Sequence, residues 1–225
     1  MLKKHPQVRL FEAARNYHDK NFSKIKKAVA RLDQLQGANL VYAKYSSRFD
    51  AYLNDPDNPP NVLNKNFSGG ALYDLGVYPI YDAVGLFGYP RSVYYKADLL
   101  KNGTDGSGWI NLGYKDFTVG ILISKSFTSY APSEIFGLKQ TISIDNPAEL
   151  DRAELVRDDD HKDIIALGSG DNPLLDEAED FAAVLKDRDS SDMKENYSKW
   201  FSAARQVNKL LYEIRQAAGI VFPAD

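Results

Sequence analysis

The sequence predicts an α+β protein with an open, mainly antiparallel β-sheet and helices packed on one face. Short β-rich runs follow one another between residues 92 and 167, and turn signals rather than helical patterns separate them. Such a succession is typical of antiparallel pairing. One helical pattern with Gly-Gly at its start precedes these runs and two follow them, so the helices are expected to cover the sheet.

Composition supports one folded domain over residues 1–225. The chain is 44% apolar and 26% charged, which is ordinary for a globular protein, and its net charge is −3. It has no cysteine, so disulfides, thiolate nucleophiles and cysteine-bound metals are excluded. We find no apolar run long enough to span a bilayer and no apolar segment after the first six residues. A cytoplasmic location without membrane contact is therefore expected.

The expected elements follow from apolar spacing and turn residues. The N-terminal half is expected to contain a strand at 8–13, a helix from Phe22 to a stop at Gly37, a strand at 38–49, a loop at 54–66 and a helix after Gly70. The strands of the sheet are expected at 92–99, 109–114, 117–127, 134–144, 153–156 and 162–167. Two helices should close the chain, one starting at Asn172-Pro173 and one of about 25 residues ending at Gly219.

Two charged stretches have ordinary explanations. The basic residues near the N-terminus fit the solvated face of one helix, and no nucleic-acid motif accompanies them, so nucleic acid is not an expected partner. Neighbouring acids at Asp158-Asp159-Asp160 cannot all point inward on a strand. We therefore expect a solvated turn there and no metal site.

The helix after Gly70 contains the most suggestive pattern. Asp74, Tyr78 and Asp82 are spaced four residues apart and are expected to share one polar face. Gly69-Gly70 allow close backbone approach at the helix start, where free N–H groups favour anions or ligand oxygens. The residues alone leave two interpretations open, a functional helix and an ordinary helix with a polar stripe.

The segment from Gly69 to Asp82 resembles the signature helix of the glucose–fructose oxidoreductase, inositol dehydrogenase and rhizopine-catabolism (Gfo/Idh/MocA) oxidoreductases. Three further segments are similar to parts of that family, in the same order along the chain. Residues 10–18 resemble the segment that follows the last strand of the family's nucleotide-binding domain. Residues 136–142 resemble one of the family's strand motifs, and residues 215–223 resemble the end of its C-terminal helix.

The resemblance implies NAD(P)-dependent hydride transfer on a sugar, cyclitol or related polyol. Residues 1–21 would be the remnant of a junction with a nucleotide-binding domain, and 22–225 a substrate-binding and oligomerisation domain. No Gly-x-Gly-x-x-Gly motif follows a strand, and the family's Glu-Lys-Pro lysine is missing. NAD or NADP is therefore expected in the full-length parent and not on this chain alone.

The resemblance also implies residue roles. Tyr78 stands where most members have histidine and would be the general acid/base, with Asp74 beside it. Glu12, which follows an apolar run, would be either a buried, paired carboxylate or a neighbour of the cofactor. Four residues are expected to contact substrate, namely Arg15, Tyr17, His18 and Asp82.

A second hypothesis is a non-catalytic binding or assembly module of the same fold. The sequence upstream of residue 1 would distinguish the two, because only an enzyme needs the dinucleotide motif there. In either case, the apolar residues of both parities in 119–127 predict self-association through the outer face of the sheet. The sequence does not identify the substrate or choose between NAD and NADP.

Overall fold

The computed structural model describes residues 4, 5, 7–168, 170 and 172–225. Eight strands form one mixed sheet in the order β2-β3-β4-β1-β5-β6-β7-β8. Only the pairing of β1 with β4 is parallel among the described strands, and the others are antiparallel. The predicted α+β class and mainly antiparallel open sheet are confirmed.

The strands are β1 (Gly37–Ala43), β2 (Ser92–Leu99), β3 (Asp105–Gly113), β4 (Thr118–Ser124), β5 (Ser133–Phe136), β6 (Gln140–Ile144), β7 (Arg152–Arg157) and β8 (Lys162–Leu167). The helices are α1 (Arg15–His18), α2 (Lys20–Val29), α3 (Phe49–Asn54), α4 (Val77–Phe87), α5 (Leu175–Lys186) and α6 (Ser191–Ala217). Two 3₁₀-helices, Asn61–Leu63 and Lys65–Phe67, and a π-helix, Leu72–Gly76, precede α4.

The main apolar core lies between the sheet and the helices. Alternate residues of the central strands enter it, among them Leu40, Ile110 and Ile121, all within 1% of full burial. Helices α4 and α6 supply much of the opposing surface, including Ile80 and Val207. The opposite parity of β1 and β4 forms a separate small cluster of Val41, Ala43 and Leu122. Helix α3 packs in a third cluster, separate from the main core. That all helices lie on one face of the sheet therefore stays a prediction.

Several expected element boundaries were wrong. Residues 8–14 are not a strand, because no neighbouring strand in the described chain offers them a ladder of hydrogen bonds. Strand β1 ends at Ala43, and Phe49 instead begins α3. The run at 134–144 is two strands, β5 and β6, joined by a turn in which Gly137 N donates to Gln140 O. Helix α2 ends at Val29, well before Gly37.

The predicted turn at 158–160 and the predicted end of the last helix are confirmed. Asp158 to Asp160 form the turn between β7 and β8, and α6 ends just before Gly219, which has a φ of 70°. Within the described residues, no cluster of three or more histidine, aspartate or glutamate side chains could hold a metal ion. Over the same residues, no helix is both long and apolar enough to cross a membrane. The prediction about an N-terminal targeting segment concerns the first six residues. Four of them lie outside the residues that the structure describes, namely Met1, Leu2, Lys3 and Pro6.

Candidate functional site

The start of the signature helix is bound by the chain's own carboxylate. Gly70 has a φ of 137°, and a Cβ there would overlap the carboxylate of Asp105. That carboxylate accepts hydrogen bonds from Leu72 N and from the Tyr95 hydroxyl, both at 2.7 Å. The close backbone approach expected at Gly69-Gly70 therefore exists, but its partner is Asp105, where the sequence suggested an external ligand oxygen.

A π-helix turns Asp74 towards the end of β4. In a π-helix the backbone hydrogen bonds join residues five apart, which changes the angular spacing of the side chains. Asp74 lies within this segment and forms an ion pair with Lys125, which directly follows β4. The Lys125 side chain is 3% exposed and that of Asp74 is 47% exposed. The carboxylate therefore lies between the buried ammonium group and the open side of the site.

Tyr78, one turn further on, lies among an arginine and a second tyrosine. The Arg15 guanidinium carbon is 5.4 Å from the centre of the Tyr78 ring. The Tyr42 ring meets the Tyr78 ring edge-to-face at a centroid distance of 5.6 Å. Arg15 Nη2 also donates to Glu149 Oε1 at 3.3 Å. Four elements thus bring two phenols, a guanidinium and a carboxylate together beside Asp74.

Electrostatic effects connect these groups. Burial lowers the pKa of Arg15, but the neighbouring Tyr78 and Glu149 outweigh burial and raise it overall. Burial raises the pKa of the Tyr42 phenol, and the Arg15 charge opposes that shift. Arg15 is therefore held as a cation beside the rings of two tyrosines.

Asp82 does not share the open face with Asp74 and Tyr78, so the single polar face expected for the three residues is wrong. Asp82 is 2% exposed, and its Oδ1 accepts a hydrogen bond from Asn16 Nδ2 at 2.9 Å. The same Asn16 nitrogen donates to the Tyr78 carbonyl oxygen at 3.0 Å. Burial raises the pKa of Asp82 well above its ordinary value. Asp82 therefore lies beneath the site, where Asn16 connects it to the backbone of Tyr78.

Glu12, Tyr17 and His18 lie in a different environment from Tyr78. His18 Nδ1 is 2.7 Å from Asp180 Oδ2, and its ring packs against Phe181 and Trp200. These residues line a pocket between the N-terminal segment and helices α5 and α6. Glu12 Oε2 accepts a hydrogen bond from Asn208 Nδ2 of α6 at 2.6 Å. Of the six predicted catalytic and substrate-contact residues, the structure thus groups Arg15, Asp74 and Tyr78.

Sequence reasoning missed Tyr42, Lys125 and Glu149. Tyr42 and Lys125 come together because β1 and β4 are parallel, so their C-terminal ends meet at one edge of the sheet. A lysine directly after an apolar strand was a usable signal, since buried lysines are rare unless they are paired. Glu149 lies in a loop after β6, and the sequence contains no signal for its contact with Arg15.

The described residues do not fit a dinucleotide. Phosphate recognition of this kind needs a glycine-rich turn between a strand and a helix. The segment at 103–108 is instead a hairpin, in which Gly103 occupies the turn with a φ of 84° and Gly108 pairs with Ala97 of β2. The described part of the chain accordingly contains no glycine-rich turn of this kind for the pyrophosphate, and we derive no hydride-transfer step from its residues.

Comparison with solved structures shows that the fold is shared with other proteins. The 3-ketoreductase KijD10 of Actinomadura kijaniata, solved with TDP-benzene and NADP, superposes with a TM-score of 0.71 at 14% identity. The match covers 95% of this chain and 63% of KijD10. The two proteins therefore share the fold over almost the whole of this chain.

The sequence comparisons give the family. Residues 40–143 match the GFO/IDH/MocA C-terminal domain, so this region is a Gfo/Idh/MocA C-terminal domain, as the signature helix indicated. The chain is 34% identical over 218 residues to the scyllo-inositol 2-dehydrogenase (NADP(+)) IolU of Bacillus subtilis. It is 35% identical over 219 residues to the uncharacterized oxidoreductase YgjR of Escherichia coli. Each match covers 97% of this chain but only 65% of IolU and 64% of YgjR.

Proposed function

We propose that this chain is the substrate-binding and oligomerisation part of an NAD(P)-dependent oxidoreductase that acts on a sugar, cyclitol or related polyol. The convergence of Asp74, Tyr78 and Arg15 on one open site supports this function most directly. The similarity to IolU, a scyllo-inositol dehydrogenase, points to the same substrate class.

In this proposal Tyr78 is the general acid/base and Asp74 binds a substrate hydroxyl. A phenol exchanges protons poorly at neutral pH unless a cation stabilises the phenolate. Arg15 lies over the Tyr78 ring, so this chain places one cation next to the proposed acid/base. Asp82, beneath the site, positions the backbone of Tyr78 through Asn16. Asp82 is buried, so a direct contact with substrate would require helix α4 to move. We therefore assign Asp82 the role of positioning Tyr78.

The nucleotide-binding domain would pack against the N-terminal segment, with residues 1–21 as the junction. Residues 8–14 have no strand partner within the described chain, and Val8 and Leu10 are about half exposed. A neighbouring domain that supplies a sheet edge would satisfy both features. Glu12, Tyr17 and His18 lie on this side, where a cofactor and the far end of a substrate would arrive. NAD or NADP would bind the neighbouring domain and provide the hydride acceptor.

The outer face of the sheet is the proposed self-association surface. The strand register places Lys96, Trp109, Leu122 and Val41 in one row across β2, β3, β4 and β1. Trp109 is 53% exposed, while Leu122 and Val41 form part of the small cluster on that face. A second copy would remove the exposed Trp109 ring from water beside this cluster.

The decisive experiment uses the full-length parent. Its upstream sequence should contain a strand followed by Gly-x-Gly-x-x-Gly, and the purified protein should reduce NAD(P)⁺ with at least one member of a panel of inositols, aldoses and alditols. An upstream region without that motif, together with no turnover on the panel, would favour the non-catalytic module.

A further inference from the structure

The charged side chains of the candidate site form two ion pairs. Arg15 is bound by Glu149, and Lys125 is bound by Asp74. Each cation therefore has a carboxylate partner within the chain. This balance limits the kind of substrate that the site can accept.

Arg15 has little positive charge to offer an anion. Its side chain is 19% exposed, and Glu149, which is 40% exposed, occupies the more open side of the pair. A second carboxylate, that of the buried Glu177, is also near, and the Arg15 and His18 charges act on it. An anionic ligand that approaches Arg15 must displace Glu149 or bear its repulsion.

Lys125 is shielded in the same way. Its ammonium group is buried, and the half-exposed Asp74 carboxylate stands between that group and the open site. An anion can reach Lys125 only by breaking the ion pair. That step leaves Asp74 without its partner and adds a like charge beside it.

A hydroxyl group meets no such obstacle. It donates one hydrogen bond and accepts others, so it can bridge a carboxylate and a cation that stay paired. A carboxylate or a phosphate group only accepts. Polyhydroxy compounds therefore fit two intact ion pairs, whereas uronates, aldonates and sugar phosphates do not.

We infer that Glu149 is a specificity-determining residue that, by holding Arg15, closes the site to anionic substrates and keeps it selective for uncharged polyols. This inference rests on the proposed function and specifies its substrate class. Asp74 plays the same part toward Lys125 but also belongs to the proposed catalytic group. Glu149 is therefore the residue to change.

The test measures binding of scyllo-inositol and D-glucuronate to the 225-residue chain by titration calorimetry or NMR at pH 7 and low salt. The wild-type chain should bind the inositol at least tenfold more tightly than glucuronate. Glu149→Gln retains the size of the side chain and removes its charge, so glucuronate affinity should rise about tenfold, the range for one charge-assisted hydrogen bond. Inositol affinity should not rise in parallel, because the glutamine amide still offers a hydroxyl an acceptor but adds no attraction for a neutral ligand.

Two further variants test whether the change in affinity comes from the Arg15–Glu149 ion pair or from the net charge of the chain. Glu195→Gln removes the same charge from the Lys199 pair on the exposed face of α6 and should leave both affinities unchanged. Arg15→Gln added to Glu149→Gln should abolish the gain for glucuronate. A folded Glu149→Gln chain without that gain, or wild type that prefers glucuronate, would overturn the inference. If Glu149→Gln does not fold, Glu149→Ala removes the same charge and is measured in its place, with the same gain for glucuronate expected.

The two proposals fail separately. If wild type binds neither compound but Glu149→Gln binds glucuronate, the role of Glu149 is supported and polyol binding by this chain is refuted. If wild type binds inositol and Glu149→Gln shows no change for glucuronate, the polyol site stands and the role of Glu149 is refuted.

Discussion

Replacing Gly70 with alanine should destabilise the fold more than any ordinary loop substitution. Gly70 has a φ of 137°, which L-residues rarely adopt, and a backbone conformation of that kind adds about 1–2 kcal/mol for alanine. The new methyl group would also overlap the Asp105 carboxylate. Asp105 is 2% exposed and has no open space into which it can move freely.

The second contribution comes from the hydrogen bonds of Asp105. Its carboxylate binds Leu72 N and the Tyr95 hydroxyl, both at 2.7 Å. Loss of one hydrogen bond to a buried charged group destabilises by about 1.5–3 kcal/mol. Together with the backbone effect, we expect Gly70→Ala to lower the free energy of unfolding by about 3–5 kcal/mol, a large part of the roughly 5–15 kcal/mol of a typical domain.

Gly103→Ala is the matched control for urea unfolding followed by circular dichroism. Gly103 also has a positive φ, at 84°, but no atom lies within 4 Å of the position a Cβ would take. It should therefore show the backbone effect alone, about 1–2 kcal/mol. If the two variants differ by less than about 1 kcal/mol at equal denaturant slopes, the argument that Asp105 occupies the space beside Gly70 is refuted.

Four further predictions concern the site, the pH response, the cofactor and the sheet. Tyr78→Phe in the full-length parent should lower kcat by about 10²–10⁴-fold with little change in KM, and near-normal turnover would move the acid/base role elsewhere. Burial raises the pKa of Asp82, so its contribution to stability is full below pH about 4 and is lost as pH rises towards the raised pKa. Asp82→Asn should therefore gain stability relative to wild type as pH rises from 4 to 8 in thermal melts, and a constant difference would contradict this. The chain alone should bind neither NAD(H) nor NADP(H), which a micromolar complex in calorimetry would disprove. Trp109→Lys should shift sedimentation at tens of micromolar from oligomer to monomer, and a wild-type monomer would remove the basis for the outer-face contact.

Local patterns were sufficient for most of the sheet and the terminal helices. Strand β2 alternates apolar and polar residues over much of its length, and β8 contains a short apolar run after a turn. Helix α6 repeats its apolar residues at helical spacing up to Gly219. These signals arise within a few residues and need no distant partner. The signature helix likewise carries its family resemblance in one short segment, which the match to residues 40–143 supports.

Boundaries failed where a distant partner decides the conformation. Residues 8–14 have a strand-like composition, but a strand exists only where a neighbouring chain segment accepts its hydrogen bonds. The shared polar face of Asp74 and Asp82 failed for a similar reason. The π-helix and the ion pair with Lys125 hold the Asp74 carboxylate beside the open site. The hydrogen bond from Asn16 holds the Asp82 carboxylate within the core.

The sequence by itself determined the fold class, the family and the helix that carries Asp74 and Tyr78, because periodicity and motifs are properties of neighbouring residues. Only the tertiary structure decided the composition of the site. The parallel pairing of β1 with β4 joins segments some eighty residues apart and brings Tyr42 and Lys125 to one edge. Glu149 reaches Arg15 across 134 residues of chain. Contacts of this range depend on how the whole chain packs, and no local pattern encodes them.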